Sequence, residues 1–195
     1  MASAGRSAQP SRVGDVVAVV HVIRHAVALD RRSWPADDWE RPLSSRGRAQ
    51  AAALAERYVS RRPDQLISSP ALRCRQTLEP TAEACSSRLG SVAFLEEGTP
   101  PALAQARLMA ALDEIGGGQR ARPPDGAAEG PAAPGPLLLA CTHGDVLAGM
   151  IELWLDAGVH FDGPMRSPKA VTFELEVTGG TVRLARFVTP PDAGR

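Results

Sequence analysis

Apolar residues fall in short runs separated by polar stretches. Val16-Val17-Ala18-Val19-Val20-His21-Val22-Ile23 is a run of small and β-branched residues that reads as a buried strand, and it ends abruptly in Arg24-His25. A polar loop, Ala26 to Pro42, carries Trp34, Asp37, Asp38, Trp39 and Arg41. Ser44 or Ser45 caps a helix through Ala49, Leu54 and Tyr58, and Arg61-Arg62-Pro63 stops it. Gln65 to Ser68 reads as a short strand. Pro70 opens a helix through Leu72, Arg73, Cys74, Thr77 and Leu78, which Pro80 must kink or restart before Ala82 to Ser86.

A strand over Ser91 to Leu95 and a helix over Ala102 to Ile115 follow. Gly116 to Pro136 is rich in Gly, Pro and Ala without an apolar period, and reads as a flexible insert. Leu137 to Thr142 is another buried strand, and Asp145 to Ala157 a helix. Val171 to Val177 and Val182 to Val188 form a hairpin around Gly179-Gly180. This alternation predicts an α/β fold: a three-layer α/β/α sandwich with a mostly parallel central sheet and helices on both faces. The expected organisation is one domain over residues 15–189, between disordered tails at 1–14 and 190–195.

Bulk properties narrow the partners. The 195-residue chain has a formal net charge of +0, so no global field holds nucleic acid or an anionic membrane. No apolar stretch approaches the length of a membrane span, and Met1 to Arg12 lacks the apolar core of a signal peptide. Cys74, Cys85 and Cys141 are odd in number and widely spaced, which fits reduced thiols in a cytoplasmic protein. Lys169 is the one lysine of the chain.

Two buried strands each deliver a histidine, His25 and His143, to a strand's carboxyl end, where open α/β sheets bind ligands. Alone, Arg24-His25 reads as a surface pair, and Arg73 and Arg75 as solvated charges. Together they suggest more. His25 is a competent nucleophile when neutral, and Arg24 presents a fork suited to phosphate oxygens. Arg73 lies on the first turn of a helix whose N-terminus suits an anion. Gly144 leaves room for close backbone approach beside His143. A metal held by Cys141, His143 and His25 would lack further ligands at a recognisable spacing. Trp34 and Trp39 either stack on a base or imidazole, or pack on the core.

Val22-Ile23-Arg24-His25-Ala26, Pro42-Leu43-Ser44-Ser45-Arg46-Gly47-Arg48-Ala49-Gln50-Ala51, Ser68-Ser69-Pro70 through Gln76-Thr77, and Cys141-Thr142-His143-Gly144 occur in this order over roughly residues 16–155. Together they resemble the signature segments of the histidine phosphatase superfamily, in its phosphoglycerate mutase-like branch. The compact chain most resembles the SixA-like phosphohistidine phosphatases, and its 31–43 loop is similar to the phosphatase domain fused to Nudix hydrolases. The resemblance implies a metal-independent phosphatase without cofactor, with His25 as nucleophile and Arg24, Arg73 and His143 binding the phosphoryl group. Glu97 in Leu95-Glu96-Glu97-Gly98 would be the general acid, although SixA-like members work without one. The implied substrate is a phosphohistidine protein or a small phosphate or diphosphate compound, with no nucleic acid or membrane partner. A phosphoglycerate mutase and a non-catalytic phosphate-binding module are the alternatives. Oligomeric state stays open.

Overall fold

The computed structural model describes residues 18–119 and 135–191. The expected tail over residues 1–14, most of the insert over 116–136 and the last residues of the tail over 190–195 lie outside the described residues.

The elements in chain order are β1 (Ala18–Arg24), α1 (Ser45–Glu56), β2 (Gln65–Ser68), α2 (Leu72–Ala84), β3 (Leu89–Ser91), α3 (Pro101–Gln119), β4 (Leu137–Thr142), α4 (Gly144–Asp156), β5 (His160–Asp162), β6 (Thr172–Thr178) and β7 (Thr181–Val188). They build one 7-stranded sheet in the order β3-β2-β4-β1-β6-β7-β5. The β3-β2, β2-β4, β4-β1 and β7-β5 pairs are parallel, and the β1-β6 and β6-β7 pairs antiparallel. The sheet is therefore mostly parallel, as expected, with an antiparallel hairpin inserted beside β1.

Both faces are covered. The central strands alternate apolar residues between two cores, because successive side chains point to opposite sides. Val20, Val22, Leu138 and Ala140 pack with Leu108 and Leu112 of α3 and with Leu147, Met150 and Trp154 of α4. Ile23, Leu137, Leu139 and Cys141 pack with Leu54 of α1 and with Cys74 and Leu78 of α2. Burying a side chain of this size stabilises by about 1.5–3 kcal/mol relative to leaving it in water. His21 also points to the α1/α2 face, where its Nδ1 lies 2.8 Å from the Tyr58 hydroxyl.

Several local expectations need correction. The strand expected over Ser91 to Leu95 is instead β3, ending at Ser91, followed by a single 3-10 turn at Ala93–Leu95. The Val92 N–H still donates to Ser68 O at 2.9 Å, but the chain then curls so that Leu95 is fully buried. Pro80 does not restart α2, which runs through it. Leu78, Thr81 and Ala82 are buried around the proline, so packing outweighs the lost backbone bond. α2 begins at Leu72 rather than at Pro70. α3 starts at Pro101 and continues to Gln119, taking in the first glycines of the expected insert. Glycine weakens a helix without forbidding it. The short edge strand β5 was not expected; its residues are mostly exposed, so it lacks an apolar signature.

The motif residues outside the strand ends prove to be scaffolding. Ser44 caps α1, its Oγ accepting from the Gly47 N–H at 3.1 Å and donating to Val27 O at 3.0 Å. Gln50 Oε1 accepts from the Val27 N–H, Gln76 Oε1 from the Leu43 N–H, and Thr77 Oγ1 from the Ala26 N–H. These bonds clamp the backbone immediately after His25 onto α1 and α2. Gly47 is required by close approach: a Cβ there would lie 1.9 Å from Val27 O. Gly47→Ala is therefore expected to destabilise the protein by at least about 2 kcal/mol, read as a lower midpoint in urea unfolding; an unchanged midpoint would contradict the clamp.

Candidate active site

The site forms where β1, β2 and β4 end. Arg24 pairs with Thr142 across the β1-β4 ladder, so the next residue on each strand, His25 and His143, emerges beside the other. Their ring centroids are 5.5 Å apart. Ser69, just past β2, joins them, and its Oγ lies 2.9 Å from His143 Nε2. A cleft of about 510 Å³ opens over this edge, lined by Arg24, His25, His143, Gly144, Glu97 and Lys169 together with loop residues 27–31 and Arg41 and Asp145.

His25 is 2% exposed. Its Nδ1 is 2.8 Å from Ala26 O. A carbonyl only accepts, so Nδ1 carries the proton and Nε2 keeps its lone pair. Lys169 Nζ lies 2.9 Å from that lone pair. Burial, then the Lys169 ammonium, hold the His25 pKa down to about 2 despite the opposing Ala26 bond, with Arg73 and His143 adding to the depression. The imidazole is neutral throughout the physiological range.

His143 is oriented from both sides. Arg73 Nη2 lies 3.2 Å from its Nδ1, and a guanidinium only donates, so Nδ1 accepts and Nε2–H donates to Ser69. Cys74 Sγ lies 3.5 Å from the same Nε2. Arg73 itself is 2% exposed and sits on the first turn of α2, as its place in the sequence implied. Its Nη1 donates to Asp38 O at 2.7 Å and its Nη2 to Glu97 at 2.7 Å.

Arg24 donates through Nη1 to Ser167 O. The guanidinium lies flat against Gly144, where a Cβ would come within 2.6 Å of its Cζ. Among the described residues, the Nε atoms of Arg24 and Arg73 are buried without a hydrogen-bond partner. The two helices that begin at this edge, α2 and α4, have no side-chain N-cap bond. Arg24, with its unpaired Nε, and Gly144 at the uncapped start of α4 both line the cleft, a combination suited to an anion.

The structure thus brings together all five residues singled out in the sequence: His25, His143, Arg24, Arg73 and Glu97. It adds others. Arg31 donates to both Asp38 and Glu97 at 2.9 Å, and Arg41 donates to Asp38 at 2.7 Å. The polar loop is thereby tied over Arg73. Asp38 is charged in this lattice: Arg41 and Arg31 outweigh its partial burial and lower its pKa to about 2. Lys169 was noted only as the lone lysine; nothing in its neighbourhood of sequence signals a site. Trp34 and Trp39 do not pack on the apolar cores. Trp39 is 41% exposed, Trp34 Nε1 donates to Asp37 O at 2.9 Å, and neither lines the cleft. Among the described residues, no three His, Cys, Asp or Glu side chains are grouped as a metal site, and no helix is long and apolar enough to cross a membrane.

The depressed pKa values of the buried histidines have a direct consequence. His21 is held to about 4, chiefly by burial and then by Arg61, and His25 to about 2. Unfolded, both protonate near 6.5, so the unfolded state binds more protons below that pH. Their contribution is fully present above 6.5 and is lost as pH falls towards the folded values. Calorimetric melting temperatures are expected to drop between pH 7 and 4.5, and the His25 imidazole resonances to show no titration between pH 5 and 8. A His25 midpoint near 6.5 would refute the burial assigned to it.

Comparison with known proteins agrees with this geometry. Residues 20–99 match the histidine phosphatase superfamily, branch 1. The chain is 31% identical over 176 residues to an 8-oxo-(d)GTP phosphatase of Mycolicibacterium smegmatis, covering 89% of this chain and 48% of that protein. It therefore spans about half the length of that relative. In fold it resembles a putative phosphohistidine phosphatase SixA from Agrobacterium tumefaciens, with a TM-score of 0.62, 22% identity, and 89% of this chain and 99% of that one covered. A protein histidine phosphatase SixA complexed with tungstate matches with a TM-score of 0.61 and 18% identity, over 90% of this chain and 97% of that one. The chain belongs to the histidine phosphatase superfamily, whose branch 1 its residues 20–99 match.

Proposed function

We propose that this protein is a metal-independent phosphatase that works through a phosphohistidine formed on His25, and that its substrate is a small phosphate or diphosphate compound. The observation that carries the reading is the neutral, buried His25 Nε2 facing a cleft lined by Arg24, whose buried Nε lacks an acceptor, with Arg73 behind it on Glu97 and His143. In the first step Nε2 attacks phosphorus, the N–P bond forms, and the leaving oxygen departs with the P–O electron pair. In the second, water attacks phosphorus, the electron pair of the N–P bond returns to Nε2, and the proton that the water loses passes to the Glu97 carboxylate left by the first step. Arg24 and Arg73 donate to the phosphoryl oxygens, and His143 joins them by turning its Nε2–H from Ser69 Oγ to the phosphoryl group. Metal independence is supported by this supply of protein cations.

Glu97 is proposed as the group that protonates the leaving oxygen. Here its carboxylate accepts from Arg31 and Arg73, so the role requires those bonds to pass to the substrate. A diphosphate leaves as phosphate, which needs little proton assistance, and Glu97 then contributes less. The small-molecule reading is favoured by the cleft volume of about 510 Å³ and by the relative named for a nucleotide. A phosphohistidine protein is the second reading, favoured by the SixA-like fold.

Phosphate release is expected from a panel containing an aryl phosphate, nucleoside diphosphates, 8-oxo-guanine nucleotides and a phosphorylated histidine protein, with no loss on adding chelator. His25→Ala is expected to lower kcat/KM at least about 10³-fold and to abolish acid-labile, base-stable labelling. Full activity in that variant would end the proposal, and rapid isomerisation of 3-phosphoglycerate would replace it with a mutase. Glu97→Gln is expected to slow aryl phosphate hydrolysis about 10²-fold and diphosphate hydrolysis much less; equal losses would remove Glu97 as the acid.

A further inference from the structure

We propose that Lys169 is a further catalytic residue of this site: a mobile cation that covers His25 Nε2 at rest and transfers its N–H to an equatorial phosphoryl oxygen when substrate arrives. The inference rests on the phosphohistidine reading above and extends it to a residue outside the family signature segments.

The geometry is specific. Lys169 Nζ is 2.9 Å from Nε2, the one imidazole nitrogen with a lone pair. An ammonium donating to that lone pair blocks attack, so it must move before the N–P bond forms. A phosphorus atom approaching Nε2 brings its equatorial oxygens alongside, within reach of the displaced ammonium. The lysine keeps its proton throughout, the Nε2 pair becomes the N–P bond, and the leaving oxygen takes the P–O pair. Lys169 therefore stabilises charge on the phosphoryl group without acting as the acid, since the leaving oxygen lies on the far side of phosphorus from Nε2.

The backbone is built to present this side chain. β6 runs antiparallel to β1, with Thr172 opposite Ile23, so the residues before β6 arrive at the carboxyl end of β1. Ala170 has φ 61, a left-handed conformation unusual for a residue with a Cβ. Its N–H is held by Arg24 O at 3.1 Å, and Ser167 O accepts from Arg24 Nη1. Strain of this kind, about 1–3 kcal/mol, persists where surrounding contacts enforce it and is concentrated at functional sites. The residue chosen also matters. Every other basic side chain among the 22 Lys and Arg is arginine. A rigid guanidinium fork cannot swing between a lone pair and a phosphoryl oxygen as a compact ammonium on a flexible stem can.

The groups facing Lys169 are His25 and Arg24 at the end of β1, Arg41 of the loop, Arg73 and Cys74 of α2, and His143 across the cleft. Burial first, then Arg24, Arg41 and Arg73, lower the Lys169 pKa to about 8, with Cys74 opposing. The ammonium is charged at pH 7 and lost above about 8, where the free enzyme loses a phosphoryl-binding charge.

The test compares wild type, Lys169→Met and Lys169→Arg by orthovanadate binding, kcat/KM against pH, and melting temperature. Lys169→Met is expected to lower kcat/KM and vanadate affinity about 10²-fold while melting no lower than wild type, because it removes a half-buried cation crowded by Arg24, Arg41 and Arg73. The wild-type fall in kcat/KM above about pH 8 is expected to vanish in Lys169→Met and move to higher pH in Lys169→Arg. Vanadate affinity and kcat/KM within about twofold of wild type in Lys169→Met would overturn the proposal. If Lys169→Met does not fold, an unmoved alkaline limb in Lys169→Arg would overturn it and a shifted limb would sustain it. Acid-labile labelling of wild-type His25 reports separately on the phosphatase reading. Lys169-dependent vanadate binding without label would sink that reading and leave Lys169 as an anion ligand.

Discussion

The site depends on the register of two parallel strands. Arg24 opposes Thr142, the His25 N–H donates to Thr142 O at 3.0 Å, and each strand then delivers one histidine to the same edge. A slip of one residue would turn the side chains of one strand to the opposite face and separate the imidazoles. Nothing in the cleft enforces that register. It is held by the two apolar cores, because Val20, Val22, Leu138 and Ala140 fit only one face and Ile23, Leu139 and Cys141 only the other. Packing far from the chemistry thus fixes the chemistry. The β2 strand extends the same logic, since the Ser69 N–H donates to Cys141 O and brings its hydroxyl to His143.

Charge in this protein is local. A chain with no formal net charge gathers Arg24, Arg31, Arg41, Arg73 and Lys169 around one cleft. Burying a cation without a partner costs several kcal/mol even after relaxation. Glu97 and Asp38 offset that cost for Arg73, with Asp38 Oδ2 at 3.2 Å and Glu97 Oε2 at 2.7 Å. Each carboxylate is also bound by Arg31, so the loop and the floor of the site form one network. Glu97 is shared by Arg31 of the loop and Arg73 of the floor, so an anion taking the Arg73 donor from Glu97 would also free one anchor of the loop.

The sequence exposed the strands, the histidines and the arginines because each rests on a local pattern: an apolar run with an abrupt polar end, or a helix start. Its motif segments pointed to the right place, but only contacts reveal that Ser44, Gly47, Gln50, Gln76 and Thr77 act on backbone rather than on a ligand. The miss at Ala93–Leu95 has a similar cause. Leu95 is buried in either conformation, so its apolarity could not distinguish a strand from a tight turn whose carbonyl is taken by the Thr142 hydroxyl. Pro80 left a kink and a restart both open on the sequence, and α2 continues through it because packing that the sequence does not display stands against a helix-breaking propensity of about 3 kcal/mol.

Lys169 lies at the other end of this scale. It comes from a segment without periodicity, 144 residues after His25, and reaches the site only because β6 inserts antiparallel beside β1. That antiparallel pair is also where the sheet departs from the parallel plan of its core. Parallel strands present their carboxyl ends together, so a site built from them alone draws on loops that leave strands. An antiparallel neighbour adds a loop that enters one, and with it Lys169, 2.9 Å from His25 Nε2. The mixed sheet therefore changes what the cleft contains: the segment that leads into the antiparallel hairpin brings the Lys169 ammonium to His25 Nε2, which the parallel strands alone would leave without a donor.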